Sequence, residues 1–393
     1  MSSDRKNILF LVSRMGIGGI QTFVINLANY LEENHSNLKV AIYCHFPEHS
    51  TTRYNLTINK NITIHTLVKS PLIIKILNHL TTSLKKTIPG FNLKELLSRR
   101  YFMNLLIKNK IDLIHSNIYI TDRLAVQARK CLGIPFITTC HGSYDEKVVS
   151  AEKLDLMRSM VEHCSCYVYM ADKNLDNFRR NGLVDLKHRF IPYGFGSTHK
   201  RKSSQKIIAP VKFCMIARGA EDKGWKELHK AVAMLLQNNL SFELHVAADG
   251  ELVSKLFDKR QKEGIFYYGS VTDPNPIISK CDIGMLPTHH ISETMPFTII
   301  EYLYHGNPVI TTDLGSIKYM ISNGKQLGGI LVACDIDGRV SVPSLMAGME
   351  GYIKDKEKIE VHSDIAYKAF EKFDIKKCSN SYLSLYNEMN LPK

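Results

Sequence analysis

At 393 residues with 44% hydrophobic side chains, the chain is too long for one ordinary core and has ample material for two. Its formal net charge is +13, and its nine cysteines lack paired CxxC spacing, Cys164 and Cys166 being the closest, which argues against a zinc site or a disulfide framework and for a reducing compartment. No window approaches the ~20 apolar residues of a membrane span, and the start MSSDRKNILFLVS lacks a signal-peptide pattern, so a cytoplasmic protein is expected.

The first element, Asn7 to Ser13, is an almost continuous apolar run, as expected of a strand buried on both faces. It leads into MGIGGIQ, after which Ile20, Phe23, Val24, Leu27 and Leu31 recur at helical spacing. Gly16, Gly18 and Gly19 therefore fall in a strand-to-helix turn, where glycine lets backbone amides approach a phosphate or sugar. Many such turns need glycine sterically, and the spacing is not the dinucleotide fingerprint. Further strands are predicted at Val40 to Cys44, Ile62 to Val68, Leu113 to His115, Phe136 to Thr139 and Tyr167 to Met170, with helical patterns between them. This alternation predicts a doubly wound α/β domain. His115 and His141 both fall at strand ends, where open α/β sheets bind ligands. His141 is the stronger candidate because Gly142 follows it, although a lone histidine is usually structural. The other fourteen histidines carry no pattern.

Within this first half the charge is concentrated. Residues 69–110 hold nine basic side chains and one acid, Glu95. Mixed with Leu72, Ile73, Ile76, Leu80 and Leu84, they make either an amphipathic surface able to rest on anionic lipid or a solvated helical face. No nucleic-acid module accompanies the charge, so a nucleic-acid partner is not expected.

The pattern breaks at Ile191-Pro192-Tyr193-Gly194, and the polar GSTHKRKSSQK that follows reads as a linker. The expected division is 1–192 for the first domain, 193–206 for the linker, 207–369 for the second domain, and 370–393 for a final helix. Alternation restarts with strands at Val211 to Ala217, Phe242 to Ala247, Ile265 to Tyr268, Ile283 to Leu286, Val309 to Thr311 and Ile330 to Val332. In ARGAEDKGW, after the first of these, Arg218 and Lys223 share a strand-to-helix turn and can converge on one anion. The turn Ala248-Asp249-Gly250-Glu251 should line the same edge.

Ser292 to Gly306 reads SETMPFTIIEYLYHG. Pro296 should turn loop into helix, which puts Glu293 on the loop and Glu301 one turn inside the helix, with Gly306 closing it in the left-handed conformation. The segment Phe297 to His305 has no charge other than Glu301, so the helix should be largely buried. Two readings follow. The carboxylates are a capping pair in a core, or both face a cleft with the first helical amides and accept hydroxyl hydrogen bonds beside an anion.

These motifs together resemble the retaining glycosyltransferases of family 4, whose GT-B fold sets two Rossmann-like domains facing each other across a cleft. The resemblance rests on Glu293 and Glu301 with seven residues between them, EYLYHGNPVITTD, Arg218 with Lys223, the ADGE turn, Gly18-Gly19, His141-Gly142 and IPYG. It implies a donor nucleoside diphosphate sugar held by Arg218 and Lys223 without a metal, ribose hydroxyls on Glu301, and the transferred sugar on Glu293. It places the amides of Phe297 and Thr298 against sugar or diphosphate, the base near Tyr268 to Val271, the glycine turn at Gly18 and Gly19 beside the donor phosphates, and His141 near the transferred sugar. The resemblance also implies that the final helix, 370–393, crosses back onto the first domain; no cofactor is implied, and no Asp-x-Asp metal motif stands at a strand end. The acceptor class is a glycan or lipid-linked glycan of a cell-surface polysaccharide, handled on the cytoplasmic side or at the membrane's inner face. Three positions depart from the family: Gln21 where an acid is frequent, Ala248 where glycine is, and Tyr302 where alanine is. A sugar-nucleotide epimerase or hydrolase and a non-catalytic sugar-nucleotide-binding subunit remain as alternatives on the same fold.

Overall fold

The computed structural model describes residues 5–16, 18–47, 58–67, 76, 79, 81, 93–142, 144–196, 207, 210–257 and 264–389. The chain divides into two compact units, Met1–Gly194 with Ile375–Lys393, and Phe195–Asp374. Most of the basic run at 69–92 and the polar segment 197–206 lie outside the described residues.

The first unit is a seven-stranded parallel sheet in the order β3-β2-β1-β4-β5-β6-β7. Its strands are β1 (Lys6–Val12), β2 (Leu38–Cys44), β3 (Thr63–His65), β4 (Leu113–Ser116), β5 (Phe136–Thr139), β6 (Cys166–Tyr169) and β7 (His188–Phe190). The apolar run of β1 is central, paired with β2 on one side and β4 on the other. Edge strand β7 escapes sequence reading because its three residues, His-Arg-Phe, carry no apolar pattern. Helices α1 (Gly19–Asn34), α2 (Leu93–Lys108), α3 (Tyr119–Leu132), α4 (Ala151–His163) and the short α5 (Asp176–Arg180) connect these strands.

The second unit repeats the plan with six parallel strands in the order β10-β9-β8-β11-β12-β13. They are β8 (Val211–Ile216), β9 (Phe242–Ala247), β10 (Ile265–Tyr267), β11 (Ile283–Leu286), β12 (Val309–Thr312) and β13 (Gly329–Val332). Its helices are α6 (Trp225–Gln237), α7 (Glu251–Phe257), α8 (Asn275–Ile278), α9 (Phe297–Tyr304), α10 (Ile317–Ile321), α11 (Val342–Lys354) and α12 (Lys356–Ala369). In both sheets the strand order reverses beside the first strand, between β1 and β4 and between β8 and β11. The crevice at such a reversal, beyond the carboxyl ends of the strands, is where open α/β sheets bind ligands.

The final helix, α13, runs from Ile375 to Glu388, whereas Phe370–Phe373 forms a 3-10 turn that belongs to the second unit. Tyr382, Leu385 and Tyr386 of α13 are buried in the first unit. There Tyr386 Oη meets His115 Nδ1 at 2.8 Å, while His115 Nε2 is 2.7 Å from Thr139 Oγ1. His115 is therefore a core residue with both ring nitrogens taken, not the ligand contact that its strand-end position suggests. Burial holds it neutral, well below the usual histidine range.

Candidate active site

In the second unit the loop after β8 contains the 3-10 turn Glu221–Lys223. Gly224 follows at φ +84°, and a Cβ there would lie 1.9 Å from Pro287 O, so only glycine lets this turn close against the loop after β11. Two side-chain pairs join the loops. Lys223 Nζ donates to Glu293 Oε2 at 2.5 Å, with each residue 7% exposed. Asp222 Oδ2 lies 2.6 Å from His290 Nδ1. Two further hydrogen bonds reinforce them, one between backbones, His289 N donating to Asp222 O at 2.9 Å, and one between side chains, Thr288 Oγ1 donating to Glu293 Oε2 at 3.0 Å. Gly315, at φ +56°, passes beneath this loop, where a Cβ would come within 2.3 Å of Glu293 O.

Arg218 stands on the same post-β8 loop but is exposed and makes no ion pair among the described residues. Its carbonyl accepts from the buried Trp225 Nε1 at 2.8 Å, so the backbone is held while the guanidinium is left free. The ADGE turn packs against this segment through Asp249 Oδ1, which accepts from Gly219 N at 2.7 Å.

Pro296 is the residue before α9, with φ −63° and ψ 123°, rather than its first helical residue. Phe297 and Thr298 open the helix, Glu293 lies in the loop ahead of it, and Gly306 follows its end at φ +73°. Glu301 has no hydrogen-bond or ion-pair partner among the described residues. Burial, together with the nearby Asp273 carboxylate, pushes its acid up to about 8. Asp273 belongs to the loop after β10 that carries half-buried Val271, and it is held by Asn275 N at 3.0 Å. Tyr268, at the start of that loop, is exposed with its hydroxyl 2.9 Å from His245 Nδ1.

The first unit holds Gly18, Gly19 and His141. Gly18 precedes α1, Gly19 is its first residue, and no side chain caps the start. Gln21 donates from Nε2 to Arg14 O at 3.0 Å, fastening the glycine turn. A carboxylate cannot make that donation, which accounts for glutamine at this position. His141 follows β5 and stacks on Tyr193 with ring centroids 5.4 Å apart. Its Nδ1 pairs with the Tyr193 hydroxyl, and its Nε2 lies 3.3 Å from Asn117 Oδ1. Asn117 Nδ2 is committed to the carbonyls of Leu11 and His115, so Oδ1 faces the histidine and the ring proton sits on Nε2. Burial keeps His141 neutral, with its pKa lowered to about 3. The buried Asp122, raised to about 6 by desolvation, anchors the same post-β5 loop by accepting from Tyr144 Oη at 2.6 Å.

Sequence reading missed Asn117, Asp222, Thr288 and His290. The doublet His289-His290 just before Glu293 is the one signal that would have raised Asp222 and His290. Among the described residues no group of three or more His, Cys, Asp or Glu is arranged to hold a metal ion.

The family profile described as Glycosyltransferase Family 4 matches residues 17–195, and the one described as Glycosyl transferases group 1 matches residues 210–340. Among solved structures, the chain is similar to sucrose-phosphate synthase from Thermosynechococcus elongatus, with TM-score 0.74 at 15% identity over 98% of this chain and 99% of that one. It is also similar to Anabaena HepE in complex with UDP-glucose, with TM-score 0.72 at 16% identity over 98% and 100% of the two chains. An uncharacterised 41.2 kDa protein of the Klebsiella pneumoniae cps region is 24% identical over 176 residues, 45% of this chain and 46% of the relative. The match thus spans about half the length of that curated relative.

Proposed function

The chain belongs to the family-4, group-1 glycosyltransferases with a GT-B fold, and from that premise we propose that it moves a sugar, with retention and without a metal, from a nucleoside diphosphate sugar to a glycan or lipid-linked acceptor. The observation that carries this reading is the gathering at one strand-order reversal. The loops after β8 and β11 there bring together a cation seated on a carboxylate, Lys223 on Glu293, with the exposed guanidinium of Arg218 on the same post-β8 loop. Cleaving the bond from anomeric carbon to phosphate builds negative charge on the diphosphate. Preorganised cations stabilise that charge more in the transition state than in the ground state. Lys223 has three N–H donors, and Glu293 occupies one.

Glu301 supports the ribose assignment. A half-buried carboxyl with no hydrogen-bond or ion-pair partner among the described residues is suited to take ligand hydroxyls, as Glu293 is for the transferred sugar. The amides opening α9 at Phe297 and Thr298 suit an anion, and the loop from Tyr268 to Val271 suits the base. Retention fits front-face attack, the acceptor hydroxyl's proton passing to the leaving phosphate oxygen. For the first unit, the family resemblance assigns Gly18 and Gly19 to donor phosphate and His141 to the transferred sugar, and the proposal keeps that assignment.

The HepE complex makes UDP-sugars the first donors to try, and the cps-region relative makes a capsule-type glycan the first acceptor class. No helix among the described residues is long and apolar enough to cross a membrane, and a peripheral site on anionic lipid through residues 69–110 completes the reading. The test is a thermal-shift screen across sugar nucleotides, followed by product analysis with and without acceptor. Transfer that requires acceptor supports the proposal. Turnover of donor alone would indicate an epimerase or hydrolase, and donor binding without turnover a non-catalytic subunit.

A further inference from the structure

The Asp222–His290 pair sits one residue away from Lys223 on the post-β8 loop and at the other end of a tight turn from Glu293, whose N–H donates to His290 O at 3.0 Å. Its geometry fixes its chemistry. An ionised carboxylate only accepts, so His290 Nδ1 carries the proton shared with Asp222 Oδ2, and in that tautomer of the imidazole Nε2 is left as the acceptor. Nε2 has no partner among the described residues, and the side chain is 32% exposed. Two further polar atoms of the same loops, Asp222 Oδ1 and His289 Nδ1, are buried without hydrogen-bond partners. Native proteins rarely leave such atoms unpaired, and a group that completes the set is the ordinary explanation.

Phosphate oxygens accept hydrogen bonds and cannot satisfy an acceptor nitrogen, whereas sugar hydroxyls donate as well as accept. We propose that His290, oriented by Asp222, is a specificity-determining residue for the transferred sugar, its Nε2 accepting a hydrogen bond from one sugar hydroxyl beside those taken by Glu293. This rests on the reading of the second unit as the donor site. The ring needs no rearrangement to do so, because the Asp222 pair and the His289 N to Asp222 O bond hold the loop before ligand arrives.

The test begins with wild-type protein and a thermal-shift screen of UDP, GDP and ADP with their glucose, galactose and N-acetylglucosamine conjugates. Calorimetry then compares the best nucleoside diphosphate with its conjugates in wild type, His290→Ala, His290→Gln and Asp222→Asn. The expected result is affinity for the bare nucleoside diphosphate within about twofold of wild type, and about tenfold weaker binding of the preferred conjugate in His290→Ala, the size of one hydrogen bond. Discrimination between glucose and galactose conjugates should narrow, and His290→Gln, which keeps an acceptor oxygen, should recover part of the loss. Asp222→Asn is the milder variant if His290→Ala proves unstable, and it should show the same split. Equal weakening of nucleotide and conjugate, or no change in either, overturns the proposal while leaving the donor site standing. If the wild type binds none of these nucleotides, the donor reading fails and this inference with it.

Discussion

Lys223 and Glu293 are each almost fully buried, so neither charge is solvated by water, and each depends on the other. Removing one partner of such a pair strands the other, at a cost on the order of 3–5 kcal/mol. Lys223→Ala is therefore expected to lose transfer by roughly a hundredfold or more and also to lower the denaturation midpoint. Adding Glu293→Gln should restore much of the midpoint and none of the transfer. Stability that does not recover in the double variant would show that Lys223 supports the loop by packing instead of charge. Glu301 gives a second residue-scale prediction. Its acid is raised from 4.5 to about 8, so between those values the folded state binds more protons than the unfolded chain. Stability should then fall as pH rises from about 5 to 8, by about 1.4 kcal/mol for each pH unit crossed, and Glu301→Gln should flatten that slope. Ribose hydroxyls donate preferentially to the ionised form, so nucleotide binding should release a proton near neutral pH and tighten as pH rises through 8. Calorimetry in buffers of different ionisation heat measures that proton directly, and no release would remove Glu301 from the ribose subsite.

At the scale of elements, Tyr302 explains how α9 is fixed to the sheet. The β8–β11 ladder pairs Gly284 with Cys214 and Met285 with Met215. Just beyond, the Tyr302 hydroxyl accepts from Ile216 N at 2.9 Å and donates to Met285 O at 3.3 Å, bridging the two strands where the ladder ends. Gly284 makes room for the ring, since a Cβ there would stand 2.3 Å from it. Tyr302→Phe should cost about 1–3 kcal/mol by leaving two buried backbone groups unpaired, and Gly284→Ala should destabilise through the ring clash. Equilibrium denaturation checks both, and a neutral Tyr302→Phe would reduce the hydroxyl to a passenger. The departure at Tyr302 was visible in the sequence, but its partner was not, because Gly284 is eighteen residues away and meets it only across a helix–strand contact. The same contrast runs through the chain. Long apolar strands such as β1, and the Pro296 and Gly306 bounds of α9, were legible because burial and backbone sterics act locally. The Lys223–Glu293 and Asp222–His290 pairs were not, since side chains 70 and 68 residues apart find each other only once the sheet order is set.

Across the whole molecule the charge of +13 is not shared evenly, and the described end of the basic run shows how it is presented. Helix α2 buries Phe102, Leu105 and Leu106 while leaving Leu96 at 54% and Ile107 at 61% exposure, beside exposed Arg99, Arg100 and Lys108. Apolar and cationic side chains on one exposed helix suit a leaflet of anionic lipid, the apolar groups entering the headgroup boundary and the cations resting on phosphates. Sedimentation with phosphatidylglycerol vesicles should therefore pull the protein down at low salt and release it as ionic strength shortens the screening length. Neutral phosphatidylcholine vesicles should retain far less. Each basic residue near the surface is worth about 1 kcal/mol, so Arg99→Gln with Arg100→Gln should weaken partitioning by about thirtyfold. Leu96→Asp tests the apolar half without touching the positive charges. Partitioning that ignores salt and both sets of substitutions, or that never appears on anionic vesicles, would confine the enzyme to soluble acceptors and make the basic run a solubility device.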